Sequence, residues 1–261
     1  MKDRTVETPA SPAIGVPTLY LWQLRYDLLA QLRNPAAVFF SVALPLIFLV
    51  TFSVIGSQGE DTMTYYAPAT MGIAVVSGTL TNIAITFAYL REYGLLKRWR
   101  LLPAPRGALL ASRISASALL SLLGVAVIAV YAVIVGGTTP VQPLAVLIAV
   151  LLLTMTGSAI GLALTAIIPS ENAAGPVANA LALPLLMLSG GFFPLESAPE
   201  WVQTTASFLP FGEGVALAIA GYSGTAGAGD YWTAAVSCAL WTGISIGVAA
   251  WRFSWTPRHR R

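Results

Sequence analysis

The chain reads as an all-α integral membrane protein, and three observations predict that class. Of its 261 residues, 56% are hydrophobic and 10% charged, with a mean hydropathy of +0.75; soluble domains carry about 25% charged residues. All fourteen Lys and Arg fall within residues 2–33, 91–113 and 252–261, so 34–90 and 114–251 hold none. Those cation-free stretches contain apolar runs of about 20 residues, the length a helix needs to cross a bilayer.

A soluble domain scatters its cations over its surface, whereas a membrane protein keeps them on the cytoplasmic side. The three basic segments are therefore placed on one side, together with Asp3, Glu7, Asp27, Glu92 and Glu171, and six acids (Glu60, Asp61, Glu196, Glu200, Glu213 and Asp230) fall opposite. The pI near 9.2 is then a record of topology. A nucleic-acid partner, which calls for a basic face on a folded domain, is not expected.

Residues 1–17 carry Lys2 and Arg4 but also Glu7, Pro9, Pro12 and Pro17, with no apolar run directly behind. They are expected as a disordered cytoplasmic tail and not a cleaved signal. In 18–34, Gln23, Asp27, Gln31 and Asn34 recur at helical steps as one polar stripe on a surface of Leu, Trp22 and Tyr26. An interfacial helix follows, with Arg25 and Arg33 reaching head groups; a cytoplasmic helix packed on another protein is the alternative.

A single transmembrane domain, 18–251, then runs through spans at about 36–56, 66–90, 114–135, 144–168, 176–193 and 231–251, before a basic cytoplasmic tail, 252–261. The turns are Gly59-Glu60-Asp61, the basic segment 91–113, Gly136-Gly137-Thr138-Thr139-Pro140, Pro169-Ser170-Glu171-Asn172 and the long segment 194–230. Two spans before the internal basic segment and four after it return the chain each time to the cationic side. Both termini are thus cytoplasmic, in a multi-pass protein of the plasma membrane. Other parities bury a cation, at about 2.5–3.5 kcal/mol each. Arg greatly outnumbers Lys and Ala and Gly abound, which suggests a bacterial source.

Pro45 and Pro184 within spans are expected to kink a helix or free a carbonyl. Gly157 with Gly161, and Gly243 with Gly247, allow close helix approach. Asn82 and Asn179 are the bulkiest polar groups at membrane depth, either as interhelical hydrogen bonds or as the lining of a translocation path.

No G-x-x-x-x-G-K-S/T string occurs, so the chain is expected to hold no P-loop and no catalytic residues of its own. The single histidine, His259, lies in the basic tail, and no metal site or cofactor is expected. Cys238 stands alone, which excludes a disulfide framework.

The segment 91–113 contains Leu95, Trp99 and Leu102 on one helical face, with Lys97, Arg98 and Arg100 pointing elsewhere and Pro103 and Pro105 ending the helix. Such an element, held between two spans, suits force transmission from a soluble partner; the alternative is a basic loop that only fixes topology. Here the chain resembles the permease subunits of type-2 ABC exporters, which include bacterial drug-resistance permeases. Glu92, Gly94, Lys97, Arg98, Arg100, Pro103 and Arg106 follow that family's loop, with Trp99 where Leu is usual. Ser189-Gly190-Gly191-Phe192-Phe193-Pro194-Leu195-Glu196, then Pro199-Glu200-Trp201 and Leu209-Pro210, follow its second motif. One departure is Phe211-Gly212-Glu213, where the family often proceeds to a basic residue.

The resemblance implies a permease for drug-like natural products or lipids, exported with energy from a separate cytoplasmic ATPase that carries ATP and Mg. It implies that Glu92, Gly94, Leu95, Lys97, Arg98, Trp99, Arg100, Pro103 and Arg106 form the coupling element. It also implies re-entrant outer helices between spans 5 and 6, with Gly191, Phe192, Phe193, Pro194, Glu196, Pro199, Trp201 and Pro210 at an outer gate. A second permease copy or a paralogue, and efflux with antibiotic resistance, belong to the same implication. A non-transporting scaffold that recruits a partner through 91–113 is the alternative.

Overall fold

The computed structural model describes residues 15–55, 60–99 and 105–252. The remaining tail residues, Arg100 and Pro103 lie outside them. The order is α1 (Val16–Leu32), α2 (Pro35–Ile55), α3 (Thr62–Glu92), α4 (Leu95–Trp99), α5 (Arg106–Ile134), α6 (Pro143–Thr165), α7 (Glu171–Leu188), α8 (Glu200–Phe208), α9 (Gly212–Ser223) and α10 (Ala228–Arg252). No strand occurs among the described residues. Five helices (α2, α3, α5, α6 and α10) are long and apolar enough to cross a membrane.

The helix nearest the predicted fifth span, Glu171–Leu188, is not among these five, and it differs from the prediction in having Pro176 inside it and Gly191–Phe193 beyond its end. Glu171 and Asn172 read as loop in the sequence, yet Ser170 is extended and the helix starts directly after it, where an acid in the first turn is favourable. This helix bridges the two ends of the molecule: Glu171 stands beside Tyr93, and Gly190 and Phe193, just past its other end, stand beside Tyr65.

The core forms around α3. In its most apolar window 72% of residues are buried, against 17% for α2 and 22% for α10. Close approach of backbones explains this. A side chain at Gly157 would collide with Thr79, and one at Gly161 would stand 2.7 Å from the Leu80 carbonyl oxygen, so α6 lies against the π turn Ser77–Thr81 of α3. Gly243 and Gly247, the other small pair, face nothing within 4 Å in this chain.

Pro45 acts as expected. It cannot donate to the Ser41 carbonyl, the chain before it widens into a π turn at Phe39–Ala43, and Gly124 of α5 packs directly on that carbonyl.

Helix α1 is inside-out by the standard of a soluble protein. Asp27 and Gln31 are its only buried residues, while Leu21, Trp22 and Tyr26 are each more than half exposed. A polar stripe turned into the protein and an apolar surface turned outward suit a helix solvated by lipid. Arg25 lies over Trp22, 5.9 Å from the ring centroid.

Candidate functional site

Those of the sequence-predicted coupling residues that are described sit on an elbow between α3 and α5. Helix α3 stops at Glu92, and Gly94 takes φ +68°. Nothing lies within 4 Å of a Cβ built there, so glycine is selected by the left-handed dihedral and not by crowding. Leu95–Trp99 then form α4.

The anchor of α4 is Leu96. It is fully buried with Ile83, Phe87 and Leu90, and Leu95 and Trp99 pack on the margin of that cluster beside Leu110, Ile114 and Leu162. The helical spacing places Leu95 and Trp99 on the apolar face; a five-residue helix is too short for its period to be read, and Leu96 takes the inner position. Lys97 and Arg98 are exposed and Glu92 is half-buried. Arg106 opens α5 on the exposed side of the same elbow.

Arg91 is the residue that sequence reasoning missed. Its side chain is buried at 3% exposure and donates to the Thr165 carbonyl at 2.6 Å and to that of Ile168. The Thr165 carbonyl is the last of α6, where a helix leaves acceptors unpaired and its dipole favours a cation, and that of Ile168 lies just beyond the helix end. Arg91 thus ties the end of α3, and the elbow with it, to the end of α6. The signal was present: Arg91 falls in phase with the buried Ala84, Phe87 and Ala88. Next to it, the Glu171 carboxylate accepts from the Tyr93 phenol and raises its pKa above the ordinary value of 10.0.

A polar clasp lies behind the elbow. Asp27 accepts from Gln23 at 2.9 Å and Ser112 at 2.9 Å, and pairs with Arg113 at 3.3 Å. One turn on, Gln31 donates to Ser117 at 3.1 Å, and Asn82 of α3 donates to Gln31 at 2.8 Å. Asn34 caps α2 through the Ala36 amide at 3.1 Å. The stripe therefore closes α1 onto α5 and α3, and both buried residues of α1, Asp27 and Gln31, find partners there.

Asn82 also lines a cavity of about 450 Å³ with Gln31, Asn34, Tyr89, Arg113 and Glu171. Asn179 is half-buried on α7 and is not in that lining; the two asparagines are not brought together.

At the opposite end, Tyr65 of α3 hydrogen-bonds the carbonyls of Gly190 and Phe193, each at 2.7 Å. Phe192 meets Phe48 edge-on, with ring centroids 5.3 Å apart. Gly191 and Pro210 are buried and Phe193 and Pro194 half-buried, whereas Pro199 and Trp201 are exposed. The Glu196 side chain lies outside the described part. Of the predicted gate residues, Phe193 is thus tied to Tyr65, which the motif did not include, and Phe192 to Phe48.

Among the described residues no group of His, Cys, Asp and Glu is arranged to hold a metal ion. A comparison with curated proteins returns no match. The family model of the ABC-2 type transporter matches residues 18–221, from the clasp helix α1 through the elbow and into α9. The chain belongs to the ABC-2 type transporter family and is a permease, the membrane component of an ABC transporter.

Proposed function

We propose that this permease exports a hydrophobic or amphipathic compound, a drug-like natural product or a lipid, with energy from a separate cytoplasmic ATPase that holds ATP and Mg. The observation that carries the reading is the elbow. Lys97 and Arg98 face outward on α4, while Leu96 and Arg91 bind its root to α3 and α6. A push on an element so rooted moves two core helices, not a loop.

Six crossings, with both termini cytoplasmic in a bacterial plasma membrane, complete the proposal. In support, α7 covers the distance between the Tyr93 end and the Tyr65 end. Two copies, or one copy and a paralogue, enclose the path. The cavity beside Asn82 is the cytoplasmic entry, and the Tyr65 layer with α8 and α9 closes the outer side.

The test is co-purification and turnover. An ABC ATPase is expected to co-purify with the wild type, and K97E/R98E is expected to lose it while still inserting in the membrane. Reconstituted vesicles should then show ATP hydrolysis stimulated by substrate. Stable recruitment of an ATPase without stimulated hydrolysis or export is the result that favours a scaffold.

A further inference from the structure

The acid at the tip of the α8–α9 hairpin has no counter-charge among the described residues. Glu213 stands in the first turn of α9. Next to it, Gly214 packs against Leu153 and Cys238, and Gly221 packs against Ala145. Leu153 lies midway along α6 and Cys238 near the middle of α10, whereas Ala145 lies in the first turn of α6. Helix α9 therefore starts at mid-depth and runs back toward the outer end. The indole of Trp241 donates to the Phe208 carbonyl at 3.0 Å, which brings the last residue of α8 to the same level. At about 1.5 Å per residue, Glu213 lies about 15 Å below the outer ends of α6 and α10, near the centre of a hydrocarbon layer about 30 Å thick.

An ionisable group at that depth marks a functional site, and its partner has to be found. Glu213 makes no hydrogen bond or ion pair among the described residues. Residues 114–251 contain no Lys, Arg or His, so the helices that build this level, in this chain or in an identical second copy, offer no basic side chain. What surrounds the carboxylate is a groove of about 320 Å³ lined by Phe208, Trp232 and Trp241, with Ser207 and Ser237. Aromatic faces attract cations, more strongly where water is excluded, and a carboxylate among them selects positive charge over negative.

We infer that this groove binds a lipophilic organic cation, its charge paired with Glu213 and its hydrocarbon laid on Phe208, Trp232 and Trp241. The inference rests on the proposal that α6 and α10 cross the membrane, and it narrows the exporter's cargo to amphipathic or hydrophobic cations. No neutral lipid would need the acid, and an anionic one would be repelled by it.

The test needs no ATPase. Equilibrium dialysis of the full-length permease in phosphatidylcholine nanodiscs is run with tetraphenylphosphonium, and with tetraphenylborate as a probe of the same shape and opposite charge. The wild type should bind the phosphonium, and Glu213→Gln should weaken that binding at least tenfold. Glu213→Asp should stay within about threefold of the wild type, which separates lost charge from lost fold. Tetraphenylborate should bind the wild type poorly and bind E213Q no worse. Phosphonium binding unchanged in E213Q, or tetraphenylborate bound by the wild type equally well, overturns the inference. Binding as expected with no ATP-driven export refutes the exporter reading alone, whereas export with E213Q-insensitive binding refutes only this one.

Discussion

Replacing Arg91 by Met should loosen the elbow from α6. The side chain is 3% exposed and gives two charge-assisted hydrogen bonds, to Thr165 and Ile168. Each is worth about 1.5–3 kcal/mol when the partner stays buried. Met fills a similar volume and makes neither bond, so R91M is expected to lose about 3–5 kcal/mol. Lys keeps the charge but lacks the fork that reaches two carbonyls at once; R91K should lose about half as much. Reversible unfolding in mixed micelles of increasing SDS fraction measures the difference directly. Vesicle export coupled to the ATPase should fall further than stability does, because the root of the elbow, not its docking surface, has been cut. R91M within about 1 kcal/mol of the wild type, or R91K no better than R91M, would refute the assignment of Arg91 as a two-carbonyl tie.

Three further outcomes are expected. D27N should cost roughly 2–4 kcal/mol, toward the lower end for a broken buried pair because Arg113 keeps 18% exposure; the double variant D27L/R113M should recover most of it in the same unfolding assay. G94A should cost about 1–2 kcal/mol for a left-handed residue and reduce ATPase recruitment, whereas G107A, at a helical glycine in open space, should be neutral or mildly stabilising. The Tyr93 phenol should keep its proton to a higher pH than an ordinary tyrosine because the Glu171 carboxylate lies beside it. E171Q should therefore shift its phenolate absorbance, isolated by difference against Y93F, back toward lower pH.

The spans that rest on apolar length and on missing cations were legible in the sequence, and so were the close packing at Gly157 and Gly161 and the carbonyl freed by Pro45. Each follows from a local rule. Contacts decided by distant partners were harder to see. Arg91 counted as one more cation of a basic loop, although its phase with Phe87 and Ala88 pointed inward. The polar stripe of α1 showed a helix with two faces, but not that the polar one turns into the protein; that depended on Ser112, Ser117 and Asn82. Glu213 read as an outer-loop acid, because the depth of the α8–α9 hairpin is set by glycines on α9 and by facing positions on α6 and α10.

The clasp also sets an order of events during synthesis. Asp27 and Gln31 find their α5 partners, Ser112 and Ser117, 85 and 86 residues later in the chain, a delay of roughly 4–17 s at the usual pace of elongation. Until α5 emerges, water or head groups must satisfy the part of the stripe that Gln23 and Asn82 do not, so α1 waits at the bilayer surface while the first two hydrophobic helices leave the ribosome. Its docking closes the N-terminal half of the permease, and a ribosome paused before residue 112 holds a chain that is inserted but not yet clasped.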